Sequence, residues 1–548
     1  MKRLSVVLLA TVGFAAMAQA ADLPTAKAPA PAAPAKPDCS TLWNWFQNSA
    51  SDCPLSAYGF TLYGTLDVNA LYNSLGSTYN PSTTQSTYGL AKSSYGPIYQ
   101  FGYNGLSTSA IGIKMKEDIL PYGWSLIGVL EAGVDPYAGM FVNGPRSLTD
   151  NNFSPANTSP WQTGNSDSSR AGQWYNAQAY IGVSNKTYGT LTFGRTNSLS
   201  LDVTAAYDPI AANAFSLIAY SSSFPGFGNT ETVRNTAVTY RLTYQNFRAA
   251  AQIGVGGYAW DNGNTGIYQG QLGADFGALS VDGVVSYAQN AVSLSSYGGA
   301  AANEYCVKGT TNCYILQTNL AGAKAYYDPN TVLKGTLSNN FGAELGVKYK
   351  WNTVTFSGGY MYANLGNPSN SEENGFSTIA SGISVPSGAV TSTAYYNPGT
   401  GKIAAPSYAY NKVLNTIWGG FKWSALSNLD FAAGVYYQMQ NNYNSTWVTG
   451  KVNGVPYGYA TGAACTGTGA FISSSKCGGS QAGVGFMVDY KPVKRLDVYA
   501  GLMLTNVYGG LANGYYSTYS VLSGGKVYTW NIAHTQAVDP TIGIRFRF

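Results

Sequence analysis

An all-β fold is what this sequence predicts: about sixteen antiparallel strands closed into a barrel that spans a membrane. Three observations carry that expectation. Segments of roughly ten residues alternate apolar and polar side chains. Short turns and long polar stretches take turns as connections between those segments. The composition suits neither a soluble domain nor a bundle of membrane helices. Only 10% of the 548 residues are charged, 14% are aromatic, Gly reaches 65 and Tyr 44, and mean hydropathy is −0.08. So few charges would leave a soluble chain prone to associate, and a helical membrane protein would show several long apolar runs.

The one such run stands at the N-terminus. Met1-Lys2-Arg3 supplies a positive start, Leu4 to Met17 the apolar stretch and Ala18-Gln19-Ala20 a small-residue cleavage pattern. Residues 1–20 are therefore expected to be a secretory signal peptide, and they are set aside from the fold. The Ala/Pro-rich stretch "ADLPTAKAPAPAAPAKP" (21–37) reads as an extended linker. In "DCSTLWNWFQNSASDCP", Trp43, Trp45 and Phe46 lie between Cys39 and Cys53. That segment reads as a small stapled cap, with a plug or cell-wall contact as the alternative. Residues 21–57 are thus expected on the periplasmic side, and 58–548 form the barrel domain.

The strands are placed near 59–75, 109–119, 124–135, 178–185, 189–197, 235–244, 247–258, 266–276, 279–292, 339–351, 354–365, 412–423, 429–442, 481–492, 495–508 and 537–548. In "FTLYGTLDVNA", Phe60, Leu62, Leu66 and Val68 alternate with Tyr63, Thr65, Asp67 and Asn69. "SAIGIKMKEDI" sets Ile111, Ile113 and Met115 against Gly112, Lys114 and Lys116. "FGAELGVKYKW" sets Phe341, Leu345, Val347 and Tyr349 against Glu344, Lys348 and Lys350. The closing "TIGIRFRF" sets Ile542, Ile544, Phe546 and Phe548 against Thr541, Gly543, Arg545 and Arg547.

Tight turns are expected at 121–123, 186–188, 245–246, 277–278, 352–353, 424–428 and 492–494, and the stretches between these hairpins are mostly long. All long loops on one edge is the pattern of an outer-membrane barrel. In lipid every backbone polar group must be paired internally, so a spanning sheet has to close on itself. The apolar face then meets acyl chains and the polar face lines a water-filled lumen. Trp351, Trp423 and Tyr490 fall at strand ends, where interfacial girdles form. On the same parity Arg241, Arg248 and Lys348 face the lumen with Asp67, Glu131, Asp275, Asp282, Glu344, Asp430 and Asp497. Phe546 and Phe548 face lipid, and the last strand pairs with the first near 58–71.

The six cysteines fall into three local pairs, Cys39 with Cys53, Cys306 with Cys313 and Cys465 with Cys477. In an exported chain these are disulfide candidates, and their spacing offers no metal site. His534 is the single histidine, too little for Ser–His chemistry, and the formal net charge of +5 is no nucleic-acid footprint.

The stretches "FTLYGTLDV" (60–68), "AIGIKMKEDI" (110–119), "QAYIGVSNKTYGTLTFGRTNSLSLDVTAAYDPI" (178–210), "RNTAVTY" (234–240) and "IGIRFRF" resemble the general bacterial porins, the trimeric diffusion channels of Gram-negative outer membranes. The resemblance implies an outer-membrane channel for small hydrophilic solutes and ions, without cofactor, metal or chemistry. It implies a homotrimer, contact with outer-membrane lipid and lipopolysaccharide, and a terminal Phe548 read by the assembly machinery. It also implies that the third long loop, 198–234, folds into the barrel and narrows it. Asp202 and Asp208 are then the loop's acids, and Arg195, Arg234, Lys114, Lys116 and Arg241 the basic wall. The family's second-strand arginine falls on Ala110. A substrate-specific channel lined by Tyr63, Tyr436 and Tyr499, or an outer-surface adhesin or receptor, are the alternatives.

Overall fold

A computed structural model describes residues 37–74, 97–103, 105–118, 121–137, 140–142, 177–220, 234–255, 266–289, 304–306, 313–318, 324–327, 339–366, 395–397, 402–404, 410–443, 446–452, 455–461, 478–512, 516–523, 526–533 and 535–548. Residues 1–36, with the expected signal and most of the linker, lie outside these, as do Cys465, Cys477 and His534.

One antiparallel sheet of nineteen segments forms the wall, and three of them are short additions to neighbouring edges, so the barrel has sixteen strands. In chain order these are β1 (Phe60–Asn73), β2 (Ala110–Glu117), β3 (Trp124–Asp135), β4 (Gln178–Asn185), β5 (Gly189–Asn197), β6 (Arg234–Tyr244), β7 (Phe247–Val255) and β8 (Gly266–Phe276). Then follow β9 (Leu279–Gln289), β10 (Asn340–Trp351), β11 (Val354–Leu365), β12 (Lys412–Leu426), β13 (Leu429–Gln440), β14 (Gly479–Val493), β15 (Leu496–Gly509) and β16 (Gln536–Arg547). Each pairs with the next. The ring closes where β16 pairs with β1, from Thr65 opposite Arg547 to Leu71 opposite Thr541. Closure leaves no unpaired edge for lipid to meet.

The alternation has the expected sense. Ile542 and Ile544 stand outside, 60% and 48% exposed, while Asp539 and Thr541 are buried within. Trp351, Trp423 and Tyr490 are exposed at the short-turn ends of β10, β12 and β14. Gln245 and Asn352 take left-handed backbone in two of the tight turns, a conformation that the reversal demands of the first turn residue.

Strand ends differ where the ladder outlasts the polarity pattern. β12 runs to Leu426 through an irregularity after Ser424, and β14 runs to Val493. The tight turns there shrink to Ser427-Asn428 and Lys494-Arg495. Short hairpins also occur in the outer connections, among them Glu304–Cys306 with Cys313–Thr318. Its register sets Cys306 opposite Cys313, and their side chains lie outside the described residues.

The cap is stapled as expected, and it docks on the end of the barrel. Cys39 and Cys53 form a disulfide around a short helix, α1 (Leu42–Gln47), whose N-cap Thr41 accepts from the Asn44 N–H. Leu55–Ala57 then pairs with Phe60–Leu62, below the point where β16 ends. Trp45 and Phe46 pack on Phe546, ring centroids 6.2 and 5.8 Å away. Phe546 therefore meets the cap rather than open lipid. Phe548 keeps the seam closed, exchanging backbone hydrogen bonds with Gly64 in both directions at 3.0 and 3.1 Å.

Candidate functional site

After β5 the chain turns inward. Ser198 caps a second helix, α2 (Leu199–Tyr207), by accepting from the Leu201 N–H at 3.1 Å. The segment then continues across the lumen to a third, short helix, α3 (Leu217–Tyr220). Its apolar side chains seat it: Leu199, Val203, Tyr207, Leu217 and Ile218 form one buried cluster with Trp418, Tyr436 and Met503 of the wall. Phe215 joins a second with Tyr499, their rings 6.3 Å apart edge to face. Burial of each such side chain in this water-filled space stabilises by about 1.5–3 kcal/mol.

Polar contacts fix the register. The Leu199 N–H donates to Gln269 Oε1 at 2.7 Å and the Thr204 hydroxyl to Glu344 Oε1 at 2.8 Å. Trp418 Nε1 donates to the Tyr207 carbonyl at 3.1 Å, and the Tyr436 hydroxyl donates to Asp208 at 2.7 Å. At the far side the Ala214 N–H donates to the Gly105 carbonyl at 2.9 Å. The loop thus leans on β8 to β15 and reaches the connection into β2.

Missing side chains on the wall make the seat. A Cβ on Gly346 would come within 2.4 Å of the Tyr207 ring, and one on Gly501 within 2.5 Å of the Phe215 ring. Lumenal parity marks both positions, but only the folded loop shows why they are glycine. Gly346→Leu is therefore expected to push α2 off the wall, lowering stability by about 1–3 kcal/mol. Single-channel current traces should show the displaced loop as a shifted conductance level.

The sites expected from the sequence separate clearly. Asp202 lies on the loop's free side and pairs with Arg241 of β6 at 2.6 Å, both about one-third exposed (32% and 38%). Asp208 is buried instead, accepting from the Tyr436 hydroxyl and from the N–H groups of Ile210 and Ala212. It holds the chain reversal after α2 and offers no free charge to water. Burial pushes its carboxyl above the ordinary range, against the pull of those donors. Arg195 is also buried, with Nε donating to the Ala177 carbonyl at 3.0 Å, so its charge is not open to water. Arg234 pairs through its backbone with Asn197, and its side chain lies outside the described residues. Lys114 and Lys116 are exposed on the lumenal side of β2.

The expected tyrosine lining is largely covered. Tyr436 and Tyr499 are 3% and 1% exposed behind the loop, Tyr499 donating to Asp67 at 2.6 Å. Tyr63 donates to Glu131 at 3.0 Å beneath Lys114. Other wall charges neutralise one another. Arg248 bridges Asp275 and Asp282, Asp430 takes Lys422 and Lys491, and Asp497 takes Arg545 and Arg547.

The resulting object is a closed barrel with a loop packed inside it, the loop seated on β8 to β15 and its Asp202 turned to Arg241 of β6. Among solved structures, an anion-selective porin from Comamonas acidovorans is similar at 13% identity, with 89% of this chain and 99% of that chain covered and a TM-score of 0.48. OmpT of Vibrio cholerae, an outer membrane protein, is similar at 15% identity over 90% of this chain and 99% of that one, with a TM-score of 0.45. The outer membrane channel DcaP of Acinetobacter baumannii is similar at 13% identity over 90% and 99%, with a TM-score of 0.42. No curated protein matches the chain. The Gram-negative porin family matches residues 5–381. The chain belongs to the Gram-negative porin family and is an outer-membrane β-barrel channel for passive diffusion.

Proposed function

We propose that small hydrophilic solutes and ions cross this barrel through the gap between the inward loop and the β2 to β6 wall. One observation carries the reading: the loop's apolar face is seated on the opposite wall, while its free side presents Asp202 to Arg241. Water and solutes then pass beside a fixed ion pair, and the loop sets the width. The barrel domain begins at 58, preceded by a signal peptide (1–20) and a periplasmic segment (21–57). The functional unit is a homotrimer held in outer-membrane lipid and lipopolysaccharide, and Phe548 is the mark read at assembly.

The channel works without catalysis. Among the described residues the lumenal carboxylates are tied to bases, hydroxyls or backbone N–H groups, so none stands ready as a general base. Purified protein in planar bilayers is expected to give step-like, ohmic conductance. Absence of such steps would overturn the reading. Asp202→Asn frees Arg241 and is expected to shift the reversal potential toward anions, with the unit conductance retained.

A further inference from the structure

We infer that the channel prefers small anions, and that Lys114, Lys116, Lys348 and Lys350 in the periplasmic half of the lumen set the preference. The inference rests on the channel reading above and adds the charge class of its solutes.

All four lysines stand on the lumenal face by parity; Lys114, Lys116 and Lys350 are exposed and Lys348 is half-buried. Ile111 and Ile113 stand on the lipid face of β2, so Lys114 and Lys116 stand on the lumenal face. Leu345, Val347, Tyr349 and Trp351 stand outside on β10, which puts Lys348 and Lys350 inside. Lys116 and Lys350 lie close to the tight turns at 121–123 and 352–353, the periplasmic side of such a barrel. β2 and β10 are eight strands apart in a ring of sixteen, so the two lysine pairs confront each other across the vestibule.

What sets these four apart is the state of the other charges. The Asp275 and Asp282 carboxylates are both held by Arg248. Asp430 is held by Lys422 and Lys491, and Lys491 also meets Asp489 at 3.4 Å. Asp497, fully buried, is held by Arg545 and Arg547. None of the four lysines forms a close ion pair with a carboxylate among the described residues, although Lys348 lies within the electrostatic reach of Asp275. Lys114 lies over the Tyr63 ring at 5.7 Å, and Lys348 over the Tyr207 ring at 5.2 Å with its Nζ directed to the Ala206 carbonyl. Asp118 sits at the rim beyond Lys116 and accepts from Ser125, whereas the lumenal carboxylates Asp67, Glu131 and Glu344 are buried on hydroxyl and backbone donors away from the water. The balance of the vestibule is positive.

Charges of one sign on opposite walls of a water path, held by no close carboxylate, bias permeation by sign. The bias acts over a Debye length of about 10 Å at 0.1 M salt and about 3 Å at 1 M. At low salt the field therefore fills the vestibule, and at high salt it does not.

Reversal potentials across a tenfold KCl gradient test this with the full protein in planar bilayers. A chloride-to-potassium permeability ratio of about 3 is expected near 0.1 M, fading toward 1 near 1 M. Lys114→Gln, Lys116→Gln, Lys348→Gln and Lys350→Gln combined should bring the ratio to about 1 at both salts, with step conductance retained. Open channels with a ratio at or below 1 in the parent protein overturn the inference and leave the channel reading intact. A ratio unmoved in the fourfold variant overturns the assignment to these lysines. Loss of all steps in the parent protein overturns both readings, and Lys114→Gln alone, expected to lower the ratio partway, guards against misassembly of the fourfold variant.

Discussion

Tyr207→Ala combined with Phe215→Ala is expected to raise single-channel conductance about two- to threefold, because a sixteen-stranded barrel without its inner loop leaves a broad aqueous channel. Tyr207 is the loop's central peg. Its ring fills the hollow at Gly346, its hydroxyl reaches Ser280 and Asp282, and its carbonyl accepts from Trp418. Phe215 is the far peg, fully buried against Tyr499 and the hollow at Gly501. Each truncation removes a buried aromatic ring, at about 3–5 kcal/mol. The contacts that remain, at Leu199, Thr204, Asp208, Ala214, Leu217 and Ile218, lack the two rings that fill the wall's hollows. The variant should therefore admit larger polyethylene glycols from solution into the pore, and its unfolding temperature should fall. A lower unfolding temperature with an unchanged size cut-off would mean that the loop remains in place without its pegs, and that the seat is not what sets the pore width.

The barrel was legible because each strand carries its own evidence. A period of two in "FTLYGTLDV" or "TIGIRFRF" is a local signal, and lipid outside with water inside enforces it over every strand. The loop's position was legible only through resemblance, since nothing in "SLSLDVTAAYDPI" states whether it lies inside or outside the ring. Asp202 and Asp208 look alike in sequence. One meets Arg241 beside water and the other is enclosed by Tyr436 and backbone donors, a difference made by a tyrosine more than two hundred residues away. The glycines at 346 and 501 carried a faint signal, small residues at lumenal parity, which becomes readable once the loop's aromatic residues are known to need room. Arg195 shows the opposite failure: a basic residue in the "FGR" pattern is buried, its Nε donating to the Ala177 carbonyl.

The lumen also explains the unusual composition. A loop lying in a polar channel cannot rely on the wall being apolar, so wall tyrosines supply both ring area and a hydroxyl. Tyr436 and Tyr499 each cover a loop aromatic or aliphatic side chain and each satisfy a buried carboxylate. Gly and Tyr thus work together inside the ring, one yielding space and the other filling it.

Arg495→Ala is expected to release the N-terminal cap and loosen the barrel seam, lowering stability by about 3 kcal/mol while conductance stays unchanged. Arg495 belongs to the turn between β14 and β15 and is fully buried, 0% exposed. Its guanidinium lies over the Trp45 ring at 3.7 Å and donates to the carbonyls of Trp45, Ser49 and Cys53 at 2.7, 3.2 and 2.6 Å. The cap it holds reaches three parts of the barrel at once: Leu55–Ala57 on β1, Phe546 on β16 and the turn carrying Arg495. Those parts come together only when β1 and β16 have paired, so a docked cap fastens the closed ring at its short-turn end. Lys494 adds an exposed ion pair to Asp52 at 3.3 Å. Ser49 hydrogen bonds and then Lys494 hold the Asp52 carboxyl below its ordinary range, so this contact persists above that range and is lost as pH falls through the lowered value. Arg495→Lys keeps the charge but not the planar fork and should recover only part of the loss. Opening the staple by Cys39→Ser with Cys53→Ser frees a short loop and should cost a comparable amount, about 3 kcal/mol. Amide exchange separates this from general destabilisation: protection should fall at Phe60–Thr65 and Arg545–Phe548 while β7 to β10 keep theirs. Equal loss of protection in all strands, or none at the seam, would show that the cap does not fasten the ring.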